Sequence, residues 1–325
     1  MKLHSIIRNG VLFSLFVGAF SSCNTDIENI EIQKPYTYDA KYYENLREYK
    51  ESNHQISYMW FADFTASHSV GTRFLGLPDS LDICSLWSGI PTKEGMPEVY
   101  EEMRFVQKVK GTKMIFCTFP SVNNKPEIME LPEDQRVQAL GDQLLNTIYQ
   151  NDLDGVDMDY EIGSDWMYGK HMVELVEYLG QYIGPKGKDP KKLLVVDVTT
   201  GQQLLGGYEY LSYLVLQSYK TNSGKSLQEF YDNNVSGRLD SRRFIVTANL
   251  GDYYQNGGVE FVETNGNSTS AYGGKLYNLE GMARWNPTEG PKGGFGAFYG
   301  QRDYNNDPPY KYFRRAIQQQ NPAVQ

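Results

Sequence analysis

Short apolar runs alternate with amphipathic stretches along most of the chain. Eight of these runs have the length and the β-branched or aromatic content of buried strands. They lie at 56–64, 81–87, 113–120, 154–161, 192–200, 213–219, 243–250 and 293–300. Apolar positions at helical spacing predict helices at 40–52, 96–110, 135–150, 170–183 and 309–320. The pattern therefore predicts a chain in which strands and helices take turns.

Eight strands alternating with helices predict a (β/α)8 TIM barrel formed by a single domain. A doubly wound open sheet is the competing architecture, but the first strand candidate is followed by no glycine-rich phosphate-binding fingerprint. Only the glycine-rich segment 201–212 joins the fifth and sixth strand candidates. We therefore predict a shortened crossover between strands 5 and 6.

The amino-terminal segment has the pattern of an export signal. Positive charge in the first ten residues precedes the apolar run 11–20, which is too short to span a bilayer because a spanning helix needs about 20 residues. Residues 1–22 resemble a bacterial lipoprotein signal peptide with lipid attachment at Cys23, and an ordinary secretory signal is the alternative. The acidic stretch that follows resembles the export signals of surface lipoproteins in Bacteroides-like bacteria. Residues 23–50 are thus predicted to be a tether and leading helix on the outer membrane, before a barrel at 51–325.

Composition and charge exclude several classes of function. The formal net charge is −9, so binding to a nucleic-acid backbone is not expected. Cys84 and Cys117 both lie in apolar runs and are predicted to be buried free thiols. The four histidines show no metal-ligand spacing, so we predict that the protein uses no metal and no cofactor.

The fourth strand candidate carries the most informative motif, LDGVDMDYEIG at 153–163. Because side chains alternate faces along a strand, Asp157, Asp159 and Glu161 share one face, about 6–7 Å apart. Asp154 has the other parity and precedes a glycine, so it is predicted to serve the start of the strand. The acids could lie on the solvent-exposed face of an antiparallel sheet. The flanking helices instead favour a parallel strand that is covered on both faces.

DGVDMDYE resembles the DxxDxDxE signature of glycoside hydrolase family 18, which contains chitinases and endo-β-N-acetylglucosaminidases. All four acidic positions are present, and QSY at 217–219 resembles the Gln-x-Tyr that ends the sixth strand in the endoglycosidase branch. The resemblance implies a retaining, substrate-assisted reaction with Glu161 as general acid. It implies that Asp159 orients the substrate acetamide, that Asp157 shares a proton with Asp159, and that Tyr219 and Gln217 contact the same sugar.

Aromatic residues at strand ends are natural platforms for sugars, and Trp60 and Trp87 are candidates. Chitinases of the family usually carry Trp at the end of the eighth strand, where this chain has Phe298 and Tyr299. Together with Asn249, Tyr299 is a further candidate for the glycan cleft. We therefore predict a monomeric endo-β-N-acetylglucosaminidase that cleaves the chitobiose core of N-linked glycans. A chitinase acting on GlcNAc oligomers and a non-catalytic glycan-binding lipoprotein are the alternatives.

Overall fold

The computed structural model of the protein describes residues 37–64, 73–161 and 163–322. The predicted signal peptide, the predicted lipidation site Cys23 and the tether up to residue 36 lie outside these ranges. In the described part of the chain, no helix combines the length and the apolar character that crossing a membrane requires.

Eight parallel strands close into a barrel in chain order, with β1 pairing with β2 on one side and with β8 on the other. The strands are β1 (Ile56–Phe61), β2 (Ile83–Leu86), β3 (Lys113–Thr118), β4 (Gly155–Tyr160), β5 (Leu193–Thr199), β6 (Tyr213–Gln217), β7 (Phe244–Asn249) and β8 (Gly294–Phe298). Each lies within one predicted apolar run and is shorter than that run. The predicted TIM barrel is confirmed.

Helices follow most of the strands and cover the outside of the barrel. Those within the described ranges are α1 (Ala40–Glu51), α2 (Pro97–Lys108), α3 (Pro126–Met129), α4 (Glu133–Gln150), α5 (Lys170–Leu179), α6 (Gly224–Asn234), α7 (Leu250–Tyr253), α8 (Asn278–Arg284) and α9 (Lys311–Gln320). The five predicted helices are all present, with ends that differ by up to four residues. The sequence pattern did not predict α3, α6, α7 and α8, which are short or mostly polar.

The crossover between β5 and β6 is shortened, as predicted. Among its described residues it contains a single 3-10 turn, Tyr208–Tyr210, in place of an α-helix. Gly207 precedes this turn with φ +76°, and a Cβ atom there would lie 2.9 Å from Cγ1 of Val176 on α5. Glycine therefore lets the short connection lie directly against the neighbouring helix.

Apolar residues form two layers, one inside the barrel and one between strands and helices. The interior layer consists of Tyr58, Trp60, Ile83, Ile115, Val195, Val215 and Ile245. On β4, the side chains of Val156, Met158 and Tyr160 belong to the outer layer. The strand's alternation therefore turns Asp157 and Asp159 toward the barrel axis, as the sequence predicted.

Gly155 begins β4 in a position where no side chain fits. Its φ is +154°, and a Cβ atom would lie 2.2 Å from the carbonyl oxygen of Leu193 on β5. We expect Gly155→Ala to lower the free energy of unfolding by about 1–3 kcal/mol, because the two strand backbones would have to separate. Denaturant unfolding measures this change. Gly201→Ala is the matched control, since its nearest neighbour atom lies 3.9 Å away, and an equal loss in both variants would contradict the steric argument.

Candidate active site

The three acids of the β4 motif lie at increasing height in the barrel. Asp157 is fully buried, Asp159 is 6% exposed, and Glu161 is exposed just beyond the carboxyl end of the strand. This is the end of a TIM barrel where catalytic side chains gather. Asp159 and Glu161 line a cleft together with Phe119, Pro120, Ser121, Tyr160, Asp165, Met167 and Tyr168.

Asp157 is held at one carboxylate oxygen by three donors from β1 and β2. Its Oδ2 accepts hydrogen bonds from the Tyr58 hydroxyl at 2.5 Å, from Trp60 Nε1 at 2.8 Å and from Ser85 Oγ at 2.8 Å. Trp60 was predicted to be a sugar platform, but its side chain is buried, with 2% of the residue exposed. The described contact therefore assigns Trp60 to the support of Asp157 rather than to an open surface.

Asp159 has an ionisation shifted into the neutral range. Burial first, and then the charges of Glu161 and Asp157, raise the pKa of Asp159 to about 7. Gln217 Nε2 donates a hydrogen bond to Asp159 Oδ1 at 3.1 Å, which favours the ionised form. Gln217 was predicted to contact substrate, and the structure places its amide nitrogen against Asp159. Near pH 7 the Asp159 carboxyl group is therefore present in both its ionised and its protonated form.

Asp197 on β5 is a site residue that the sequence reasoning missed. It pairs in register with Asp159, it is fully buried, and its Oδ1 accepts a hydrogen bond from Gln217 Nε2 at 2.5 Å. Burial first, and then the charges of Asp157 and Asp159, raise the pKa of Asp197 well above its usual range. Proton sharing was expected between Asp157 and Asp159 alone, whereas the structure adds Asp197 to the same group of buried acids. The available signal was an acid inside the apolar run LLVVDV.

Tyr219 lies on the same side of the barrel as the acids. Its ring is 6.3 Å from that of Trp60 and 5.3 Å from that of Phe298, measured between centroids. Burial first, and then the charges of Asp197 and Asp159, raise the pKa of Tyr219 well above its usual value. Tyr219 is therefore a neutral hydroxyl beside the carboxyl cluster, which allows the predicted contact with an acetamido sugar.

The remaining aromatic candidates lie together at the mouth of the barrel. Trp87 follows β2 and is 38% exposed, and its ring centroid lies 5.3 Å from that of Phe298 and 5.2 Å from that of Tyr299. Tyr299 has a left-handed backbone, with φ +50°, directly after β8. Trp87 and Tyr299 thus offer adjacent, partly exposed rings, and their contact with a sugar chain stays a prediction.

Asn249 and Asp154 occupy the two ends of the barrel, and both bond to the protein's own backbone and side chains. The Asn249 side chain caps α7, accepting from the Asp252 backbone N–H at 3.2 Å and donating to the Asp252 carboxylate at 3.0 Å. Asp154 lies before β4, and its Oδ2 accepts from the Met114 backbone N–H at 2.9 Å and from Gln107 Nε2 at 2.8 Å. Asp154 therefore fastens the start of β4 to β3 and α2, which agrees with its predicted structural role.

Both predicted thiols are free among the described residues. Cys84 is fully buried, while Cys117 is partly exposed and faces the carboxyl cluster. The Cys117 sulfur and one carboxylate oxygen each of Asp159 and Asp197 lie within 4.8 Å of one another, close enough to hold a cation. Any cation there would compete with protons for the same carboxylates. The prediction that the protein uses no metal stays a prediction.

Comparison with protein families matches residues 41–297 to the TIM-barrel domain of the endo-β-N-acetylglucosaminidase EndoS. EndoS from Streptococcus pyogenes serotype M1 is 26% identical over 201 residues, which cover 52% of this chain and 20% of that protein. The match therefore spans about a fifth of the length of this relative.

Solved structures with the same barrel include BT1044, with a TM-score of 0.73 and 22% identity over 87% of this chain and 93% of that one. An apo endo-β-N-acetylglucosaminidase from Cordyceps militaris has a TM-score of 0.65 and 21% identity over 89% and 98% of the two chains. A mutant of the same enzyme in complex with fucosyl-N-acetylglucosamine-Asn has a TM-score of 0.63 and 20% identity, with the same coverage.

At these identities the structural likeness shows the fold, whereas the family match extends over most of the barrel. The carboxyl motif on β4 lies inside the matched range, at the end of the barrel where the cleft opens. This chain belongs to the family defined by the TIM-barrel domain of the endo-β-N-acetylglucosaminidase EndoS.

Proposed function

We propose that the protein is an endo-β-N-acetylglucosaminidase that cleaves between the two GlcNAc residues in the chitobiose core of N-linked glycans. The observation that carries the proposal is the arrangement of Asp159 and Glu161 in one cleft, with Gln217 and Tyr219 on the same side of the barrel. The family match supports the same reaction class. The substrate is an oligosaccharide that contains GlcNAc, since the mechanism below requires a 2-acetamido group.

In the first step, Glu161 donates a proton to the glycosidic oxygen while the carbonyl oxygen of the substrate's acetamide attacks C1. The C1–oxygen bond of the leaving sugar breaks, and an oxazolinium ion forms. Asp159 accepts a hydrogen bond from the acetamide N–H and stabilises the developing positive charge. Tyr219 donates its hydroxyl hydrogen to the acetamide and holds the carbonyl against C1.

In the second step, ionised Glu161 takes a proton from water, and the water oxygen attacks C1. The oxazolinium ring opens and restores the acetamide. Two displacements at C1 leave the anomeric configuration as it was in the substrate. Glu161 thus alternates between acid and base, which its partly open position beside the cleft permits.

The masses of the products test this proposal. We expect an N-glycoprotein treated with the protein to keep a single GlcNAc on asparagine, while the released glycan carries the other at its reducing end. Chitin oligomers serve as the competing substrate in parallel reactions. Shortened chitin oligomers together with an intact glycoprotein would replace the proposed function with that of a chitinase.

A further inference from the structure

Asp197 places a carboxyl group inside the barrel, in register with Asp159. Both its neighbours in register, Asp159 on β4 and Val215 on β6, belong to the barrel interior, and Asp197 itself has no exposed surface. A buried carboxyl group must either be neutral or have its charge compensated by hydrogen bonds. No Lys, Arg or His within the described residues forms an ion pair with Asp197.

The hydrogen bonds of this cluster leave two oxygens without a donor. Oδ2 of Asp157 accepts three hydrogen bonds, and Oδ1 of Asp197 accepts one from Gln217. Oδ1 of Asp157 and Oδ2 of Asp197 are buried and accept none from any described residue. Asp157 and Asp197 lie on the paired strands β4 and β5, two positions apart in register, and both are fully buried, so their carboxyl groups are neighbours inside the barrel. A proton between these two oxygens satisfies both of them.

The surroundings decide which carboxyl group carries that proton. Burial raises the pKa of Asp157 as well, but its three donors oppose that shift and stabilise its ionised form. Asp197 receives a single donor, and burial followed by the charges of Asp157 and Asp159 raises its pKa well above the usual range. The other titratable groups near Asp197 are Cys117 from β3, Tyr58 from β1 and Tyr219 beyond β6. None of these three brings a positive charge that would favour ionised Asp197.

We propose that Asp197 is a positioning residue of the active site, which stays protonated at neutral pH and donates its Oδ2 hydrogen to Asp157 Oδ1. This assignment rests on the proposed function for its catalytic consequence. Neutral Asp197 removes one negative charge from beside Asp159. It also anchors the Gln217 amide nitrogen, which in turn holds Asp159 Oδ1 at 3.1 Å. Asp159 therefore keeps its orientation and stays ionised, so that it can accept the hydrogen bond from the acetamide N–H.

Two substitutions at position 197 test this role through activity. Asp197→Ala leaves Asp157 Oδ1 without a donor and frees Gln217, so we expect glycan release to lose about 10- to 100-fold in kcat, with little change in KM. Asp197→Asn reproduces the neutral group, since its N–H replaces the O–H and its oxygen still accepts from Gln217. We expect it to recover most of the rate lost in the alanine variant. Equal losses in both variants would overturn the proposal.

The position of the proton is tested by the matched substitution Asp157→Asn. Asparagine at 157 removes the charge that the three donors stabilise, so we expect Asp157→Asn to lose more activity than Asp197→Asn. If Asp157→Asn were the better tolerated of the two, the proton would belong to Asp157 and the proposal would be wrong.

A stability measurement tests the proton without any reference to catalysis. The unfolded chain loses the Asp197 proton above about pH 4, whereas the native state is proposed to keep it. In this range the unfolding equilibrium of the wild type shifts toward the unfolded state about tenfold per pH unit relative to Asp197→Asn. We therefore expect the stability of Asp197→Asn relative to wild type to increase from pH 4 to pH 8. A difference that is independent of pH would overturn the assignment, even in a protein that releases no glycan.

Discussion

Glu161→Gln is expected to lower kcat for glycan release by about 10²- to 10⁴-fold, because the amide has nearly the same shape but cannot donate the proton that the leaving sugar needs. Glu161 follows β4 directly, is exposed, and lines the cleft beside Asp159. Its carboxylate forms no ion pair with a described residue, so the packing of the barrel does not depend on its charge. Fold and stability should therefore be retained while the rate falls. Mass spectrometry of the glycan released over time measures the effect.

The same substitution on the outer surface provides the control. Glu177 is an exposed residue of α5, and Glu177→Gln should release glycan at the wild-type rate. If Glu161→Gln also did so, the proposed acid would be ruled out. If neither the wild type nor the variants released any product but all bound the glycan equally, the protein would instead be a glycan-binding protein on the same barrel.

The strands and the acid motif could be predicted from the sequence because both follow local rules. A parallel strand that is covered on both faces has a nearly continuous apolar sequence. Each of the eight apolar runs contains one strand of the barrel. The alternation of side chains then determined which acids share a face, independently of any other part of the chain. Asp157 and Asp159 point inward because Val156 and Met158, which alternate with them along the strand, belong to the outer layer.

Asp197 could not be assigned in the same way, because its role depends on register between strands. A single acid in an apolar strand can face a helix, the solvent or the barrel axis. The sequence does not show which of these the side chain faces. Only the pairing of β4 with β5 sets Asp197 opposite Asp159. Paired acids on one strand are visible as a motif, whereas acids on two strands become a cluster only after folding.

Trp60 illustrates a second limit of sequence reasoning. Its position near the end of a strand suggested a sugar platform. An aromatic ring at such a position can, however, either be buried in the barrel interior or be exposed at the barrel mouth. Within the barrel, Trp60 lies deep enough for its indole N–H to reach Asp157 at 2.8 Å, while Trp87, one strand further, remains 38% exposed. Trp60 pairs in register with Ser85, so Trp87 lies two residues further toward the mouth of the barrel.

The short helices were missed because their stability depends on contacts outside their own sequence. The segment GKSLQEFYDNN, which forms α6, carries few apolar residues, and its buried ones include Leu227 and Tyr231. Its start is stabilised by the Ser223 side chain, whose Oγ accepts a hydrogen bond from the Ser226 backbone N–H at 3.1 Å. One cap and a narrow apolar stripe are too weak a signal to recognise before the barrel that they cover is known.

Asp159→Asn is expected to lower kcat by about 10²- to 10³-fold, because it removes the charge that stabilises the oxazolinium ion. The amide still fills the same space and its oxygen can still accept from Gln217, so substrate binding should change much less than the rate.

The pH profile of kcat/KM gives a second test of the role of Asp159. Since the pKa of Asp159 is raised to about 7, the ionised form that the mechanism uses is lost as pH falls below that value. The wild-type kcat/KM should therefore decline toward acid by about tenfold per pH unit. In Asp159→Asn this acid limb should disappear, because an amide does not titrate. An unchanged acid limb in the variant would assign the titration to another group and would remove Asp159 from its proposed role beside the acetamide.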